Sequence, residues 1–194
     1  MARPQQYNRE KVIDQAMQLF WKQGYQATPV SDLVQITGLR PGSLYGAFGN
    51  KEGLLLAALE FYTQQVESLV AEVFNRYSSA REGVTAFLQT LASEVNDGKL
   101  ANGCLLVNTL LEMAGNNREI CTEVDRLLRR IENSFQAAFL RAREEGDLPD
   151  QADCSGLATY MMGTVWSLRV MSRLSTDRQR MQAIVGPALR GMFG

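Results

Sequence analysis

The side chains that could do chemistry in this sequence of 194 residues are few in kind, and histidine is absent altogether. That absence removes histidine general bases, nucleophile–histidine pairs and histidine metal ligands at once. Three cysteines remain, Cys104, Cys121 and Cys154, none in Cys-x-x-Cys spacing. Neither a disulfide framework nor a zinc site is expected from them. No glycine-rich phosphate loop is present. The carboxylates Glu112, Glu119 and Glu123 could form an acid–base pair, but charged helix faces account for them. The sequence therefore points away from an enzyme, a metal site and a bound cofactor. What is left is non-covalent chemistry, gathered between Thr28 and Lys51. There Arg40, Ser43, Tyr45 and Lys51 supply cations, a hydroxyl and a phenol beside Gly42 and Gly46. Such groups hold phosphates and read base edges.

The elements that must position these groups are legible in the same stretch. Thr28 is a candidate cap for a first short helix, with Pro29 in its first turn, where a missing N–H costs nothing. Val30, Leu33 and Val34 fall on one face. Gly38 ends that helix by taking a left-handed backbone, and Leu39 fills the inside of the turn. Pro41 opens a second helix, in which Leu44 and Phe48 recur four apart and leave Tyr45 to face outward. Asn50 caps a third helix that begins at Lys51. Two short helices joined by a glycine-containing turn form the helix-turn-helix pattern, whose second helix enters the major groove of DNA.

At these residues the chain resembles the TetR (tetracycline-repressor-like) family of bacterial transcription regulators. The matching elements are Gly24-Tyr25, Thr28, Gly38-Leu39, Gly42-Ser43, Tyr45, Phe48 and Lys51-Glu52. The resemblance implies a DNA-contacting set of Thr28, Arg40, Pro41, Gly42, Ser43, Tyr45, Gly46 and Lys51. In it, Tyr45 meets phosphate and a thymine methyl, and Thr28 and Lys51 meet phosphate. Two departures matter. Arg40 stands where many members carry a serine or threonine cap, and Gly46 where many carry histidine, so operator preference cannot be transferred from relatives.

Charge supports a division of labour. Residues 1–51 hold six basic and three acidic residues, a net of +3, whereas residues 52–194 hold fourteen and eighteen, a net of −4. A basic head on an acidic body fits a head that meets phosphate. We therefore expect a DNA-binding domain at 1–51 and a ligand-binding and dimerisation domain at 52–194. The opening residues are polar and carry Arg3 in a loose arm, with no sign of a signal peptide. The most apolar run, Leu157 to Met171, is too short for a membrane span and contains Arg169. A cytoplasmic protein is expected.

The fold class is all-α, with about nine helices. A helix capped by Asn8 and ended by Gly24 closes a three-helix head with core residues Ile13, Leu19, Phe20, Val30, Leu33, Leu44 and Phe48. A long helix from Lys51 to about Tyr77 joins head to body, its stripe running through Leu55, Leu59, Tyr62, Val66, Leu69, Val73 and Tyr77. The body reads as helices near 81–95, 103–114, 119–145, 153–174 and 177–192. They are separated by Asn96-Asp97-Gly98, Gly115-Asn116-Asn117, Gly146-Asp147-Leu148-Pro149 and Ser175-Thr176. Pro187 is expected to kink the last helix or end it early.

The last two helices carry more apolar surface than one small bundle needs. The resemblance implies a homodimer built on them, through Leu157, Tyr160, Leu168, Met171, Met181, Ile184, Val185 and Leu189. It also implies a small-molecule pocket in the body, for which the candidates are Phe87, Leu91, Cys104, Val107, Asn108, Glu112, Phe135, Met162 and Trp166. Cys104 follows Gly103 at a helix start, where the dipole favours an anion. It can be read as a sensor of electrophiles or oxidants, or as a small packed residue. The function implied is a repressor released from a palindromic double-stranded operator by a small-molecule effector. A repressor switched through Cys104, and an effector-independent DNA-binding accessory protein, stand as alternatives.

Overall fold

The computed structural model describes residues 7–93, 102–174 and 177–194. Among them are nine α-helices and no strand: α1 (Arg9–Gln23), α2 (Val30–Thr37), α3 (Pro41–Phe48), α4 (Lys51–Arg76), α5 (Ala80–Ser93), α6 (Leu105–Met113), α7 (Arg118–Glu144), α8 (Cys154–Leu174) and α9 (Arg178–Phe193). The expected Arg3 arm and the breaks at Asn96-Asp97-Gly98 and Ser175-Thr176 lie outside the described residues. Packing forms two compact units that cut across the sequence division at Lys51. One runs up to Gln64 and takes in Leu105–Leu127; the other is Gln65–Cys104 with Leu128–Gly194.

In the first unit α1 packs on α2 and α6, and α2 on α3. Asn8 caps α1 by accepting from Lys11 N–H at 3.1 Å. Val12, Ile13, Ala16, Met17 and Phe20 of α1 are buried with Leu33, Leu39, Leu44 and, from α4, Leu54, Leu55, Ala58, Leu59 and Tyr62. Leu19, Val30 and Phe48, expected in this core, are only half-buried. Helices of eight residues expose most of their surface, and α2 and α3 each bury one side chain, Leu33 and Leu44. The cap of α2 also differs from expectation. Pro29 occupies the N-cap position without a side-chain bond, because the Thr28 hydroxyl turns back and donates to Gly24 O at 2.6 Å.

In the second unit α9 packs on α5 and α8, and α5 on α8. Its centre is an aromatic trio: Phe74, Phe87 and Phe135, with ring centroids 5.6–6.2 Å apart in tilted or edge-on pairs, the geometry aromatic quadrupoles favour. The α7 stripe Ile120, Val124, Leu127, Leu128, Ile131, Phe135, Ala138 and Phe139 is buried throughout. The α4 stripe departs from its expected line: Leu69 and Tyr77 are exposed, and Val70 and Phe74 are buried in their place. Tyr77 falls past the end of α4 at Arg76 and so off the helical line, and the seven-residue spacing that carries the stripe to Leu69 drifts about 20° per repeat on a straight helix. Nor does Pro187 end α9, which continues to Phe193. Ala183, whose carbonyl loses its partner, is exposed to water.

One polar device closes the corner between α4 and α5. Arg141 of α7 donates to Phe74 O (3.0 Å), Tyr77 O (3.2 Å) and Ser78 O (3.3 Å), placing a cation on the carbonyl end of α4. Glu145, paired to Arg141 at 2.6 Å, accepts from Ala80 N–H at 2.7 Å and places an anion on the amide end of α5. The Ala80 N–H, followed by Arg141, holds the Glu145 carboxyl below its ordinary value of 4.5, against the opposing pull of burial. A carboxyl whose folded value lies below its unfolded one stabilises fully above the unfolded value, and that contribution is lost as pH falls through the folded one. We therefore expect Glu145→Gln to melt below the parent at pH 7, with the gap closing as pH drops below 4.5. A gap of the same size at pH 7 and pH 3 would contradict this.

Candidate nucleic-acid interface

The helix-turn-helix is built from local bonds before any packing is added. Thr37 Oγ1 donates to Leu33 O at 2.6 Å and accepts from Leu39 N–H at 3.3 Å, tying the last turn of α2 to the loop. Gly38 takes φ 68° and ψ 6°, and its N–H donates to Val34 O at 2.9 Å. Arg40 then sits in extended backbone as the N-cap of α3, without a side-chain bond, and Pro41 opens the helix. The far end of α3 is fixed just as tightly. Asn50 Oδ1 accepts from Gly53 N–H at 2.8 Å. A Cβ on Gly53 would come within 2.0 Å of Phe48 O, so only glycine lets α4 start this close to the end of α3.

These constraints decide which way α3 faces. Leu44 is 1% exposed and Tyr45, next to it, is 39% exposed. Arg40, Pro41, Gly42, Ser43 and Gly46 are all exposed with Tyr45. A Cβ on Gly42 or Gly46 would meet nothing within 4 Å, so the outer side of α3 is open to close approach. Six of the eight expected DNA residues thus share one exposed surface. Thr28 does not join them: it is fully buried, and its hydroxyl must leave Gly24 O before it can bind anything else. Lys51 is half-buried, with its ammonium 4.3 Å from the Tyr25 ring centroid. Desolvation lowers its pKa, against the opposing pull of the Glu112 charge. Two exposed neighbours escaped the sequence reading: Arg9, whose guanidinium stacks 5.1 Å over the Phe48 ring at the end of α3, and Ile36, at the end of α2. Arg9 lies outside the motif and nothing in its spacing marks it.

The other expected sites are distributed as follows. Of the pocket candidates, Phe87, Leu91, Phe135 and Met162 are buried in the second unit, while Trp166 is 37% exposed. Val107, Asn108 and Glu112 are on α6 in the first unit. The Glu112 carboxylate is taken by backbone amides of Tyr25 and Gln26. Cys104 is 9% exposed, which favours the packed reading of that residue. The second unit also holds a cavity of about 310 Å³, which the sequence did not announce. It runs between α4 and α7 over Phe74, Ala71, Ala137 and Ala138, with Glu67 and Arg141 on its lining. Of the dimer candidates, Leu168, Met181 and Val185 are buried within the chain and offer no surface, because they close the α8–α9 packing from inside. Leu157, Met171, Ile184 and Leu189 are half-buried and Tyr160 is exposed. Tyr160 and Ile184 line an outward groove with Gly163, Ser167 and Pro187. No helix among the described residues is long and apolar enough to cross a membrane.

Residues 12–58 match the family described as bacterial regulatory proteins, tetR family, and residues 80–186 match the tetracyclin repressor-like C-terminal domain. The chain is 26% identical over 189 residues to the HTH-type transcriptional repressor ComR of Escherichia coli (strain K12), covering 97% of this chain and 90% of that one. It is 27% identical over 190 residues to the uncharacterized HTH-type transcriptional regulator YezE of Bacillus subtilis (strain 168), covering 97% and 98%. Among solved structures, a cysteine-substituted variant of the TetR family regulator CifR, complexed with 26 bp double-strand operator DNA, superposes with a TM-score of 0.85. The two are 30% identical over 97% of this chain and 98% of that one.

The empty space around Gly46 gives a direct check on the orientation of α3. An interior helical glycine costs about 0.5–1 kcal/mol relative to alanine. Since the added methyl meets no neighbour, Gly46→Ala should raise the unfolding free energy by about that much in urea titration. A destabilised variant would mean that this side of α3 is packed.

Proposed function

The chain belongs to the TetR family of helix-turn-helix proteins and is a DNA-binding transcription regulator, and from that premise we propose a repressor that holds a palindromic operator as a homodimer and leaves it when a small molecule binds the body. The observation that carries the reading is the exposed side of α3, where Arg40, Ser43 and Tyr45 stand out around the fully buried Leu44. A helix of this size fits the major groove, where each base pair shows a distinct pattern of donors and acceptors. Arg40 is the residue able to reach a guanine with two bonds. Tyr45 and Lys51 take phosphate, and Tyr45 also meets a thymine methyl. For Lys51 this means exchanging the Tyr25 ring for an anion. In this division residues 1–51 carry the DNA contacts, and residues 52–194 carry effector binding and dimerisation, in the cytoplasm.

Two copies are needed because one short helix reads only a few base pairs, and paired heads about 34–36 Å apart meet successive grooves on one side of the duplex. The groove between α8 and α9, with Tyr160 and Ile184 outward, supports that face as the seam. For the effector, the cavity over Phe74 is in the size range of small-molecule sites, and Phe87 and Phe135 pack against Phe74 from behind. The ligand acts by its unequal affinity for the DNA-competent conformer and a second one, and by nothing else.

Selecting tight binders from a random duplex library tests the proposal. It predicts a palindromic site, with two chains bound per duplex by sedimentation. Tyr45→Ala should lose about 1–3 kcal/mol of binding to that site in anisotropy titrations while keeping the parent's melting temperature. An unaffected Tyr45→Ala, or one chain per site, would contradict it.

A further inference from the structure

The corner where α6 meets α7 contributes two polar side chains to the first unit that have no part in touching DNA. Glu112 spans 86 and 87 positions of sequence: Oε1 accepts from Gln26 N–H at 2.6 Å and Oε2 from Tyr25 N–H at 2.9 Å. Gln26 Nε2 returns a longer bond to Glu112 O at 3.5 Å. The same carboxylate lies against Gly24, where a Cβ would come within 3.1 Å of Oε2, and where φ is 86°. Two consecutive backbone N–H groups of the α1–α2 turn, those of Tyr25 and Gln26, therefore hold one anion, as in an anion-binding concavity, while Gly24, whose own N–H donates to Phe20 O, leaves room for the carboxylate. The Lys51 ammonium over the Tyr25 ring adds the balancing charge. Between the end of α6 and the start of α7 comes a second grip. Asn117 Nδ2 donates to Glu52 Oε2 at 3.0 Å, in the first turn of α4, while its Oδ1 accepts from Ile120 N–H at 3.0 Å and caps α7.

We propose that Glu112 is a positioning residue for sequence reading, one that fixes the α1–α2 turn and through it the angle at which α3 is presented to DNA, with Asn117 as the second point of the same clamp. The need for such a residue follows from the size of the reading helices. α2 and α3 each bury one side chain fully, and a single apolar anchor sets depth far better than rotation, because apolar contact is non-directional. Charge-assisted hydrogen bonds are short and directional, so they supply the missing angular constraint. The turn they hold runs straight into α2 through Thr28, whose hydroxyl is bonded to Gly24 O. The bond to Gln26 is exposed and that to Tyr25 part-buried, so water can replace Glu112 at these amides without loss of the apolar core.

This predicts an unusual split. Phosphate contacts tolerate a misaligned helix, whereas base contacts do not. Loss of Glu112 should therefore cost sequence discrimination while leaving general DNA binding in place. The test measures the parent, Glu112→Ala and Glu112→Gln by fluorescence anisotropy at one salt concentration. One probe is the duplex selected by the parent, and the other a scrambled duplex of equal length and composition. Amide exchange at Tyr25 and Gln26 is followed in parallel. The expected result is at least a tenfold loss on the selected duplex for Glu112→Ala, with the scrambled duplex within twofold of the parent and both amides exchanging faster. Glu112→Gln, which keeps one acceptor oxygen, should fall between. Should Glu112→Ala fail to fold, Glu112→Gln carries the same readouts. Equal losses on both duplexes, or an operator affinity within twofold of the parent, would overturn the proposal. A parent with no preferred duplex would instead contradict the DNA reading on which it rests.

Discussion

The exposed side of α3, which we propose faces DNA, hangs on the burial of one leucine. α3 has eight residues, too few for a helix to hold in water by itself, since isolated helices below about 12–15 residues are marginal. It exists because Leu44 is taken into the core beside Leu33 and Leu39, a burial that contributes about 2 kcal/mol. With Leu44 inward, Tyr45 has to point out. The two ends of the helix are then defined without any further apolar surface, by Gly38 and Pro41 at one end and by the close approach of Gly53 to Phe48 O at the other. A reading head must keep its outer face free for another molecule, so a small inner anchor and tightly built corners are the arrangement that leaves the most surface exposed.

Elsewhere in the chain, joints between helices are made by charges set at helix ends. Arg141 faces the carbonyls that α4 leaves unpaired, and Glu145 the first amide of α5. Glu112 does the same for the turn after α1, and Asn117 for the start of α7. Each group satisfies backbone atoms that helix geometry orphans. Arg141, Glu145 and Glu112 also come from segments remote in sequence, so their bonds fix the relation of one helix to another within its unit, whereas the Asn117 cap on α7 is local. They are partly exposed, and therefore modest in energy and open to exchange with water. Apolar burial supplies the bulk of the stability, and these polar joints set angles.

How much of this could be read from residues alone varied with range. The caps at Asn8 and Asn50, the turn at Gly38, the inward Leu44 and the burial line of α7 are local or periodic, and the structure has them as the spacing implies. Thr28 has the right type and place for a cap, yet its hydroxyl found a nearer acceptor in Gly24 O, a choice composition cannot reveal. Tyr77 is exposed because α4 stops at Arg76, one residue short of the end of the expected stripe, and Leu69 is exposed where the stripe places it inside. Leu168, Met181 and Val185 look like interface residues because any apolar helix face does; only the packed chain shows which part of it is already covered. The role of Glu112 was invisible, since its partners are backbone atoms more than eighty residues away that carry no side-chain signature. The cavity over Phe74 is a gap between helices, and gaps are not written in either helix alone.

The central claim is that the outer side of α3 lies against base edges. A benzophenone side chain installed at Tyr45, with a control at the exposed Asp150, tests it on the duplex the protein selects for itself. On irradiation, Tyr45 should give a protein–DNA crosslink that maps to a base within each half-site, and Asp150 should give none. A crosslink from Asp150 with none from Tyr45 would mean that another face of the protein holds the DNA.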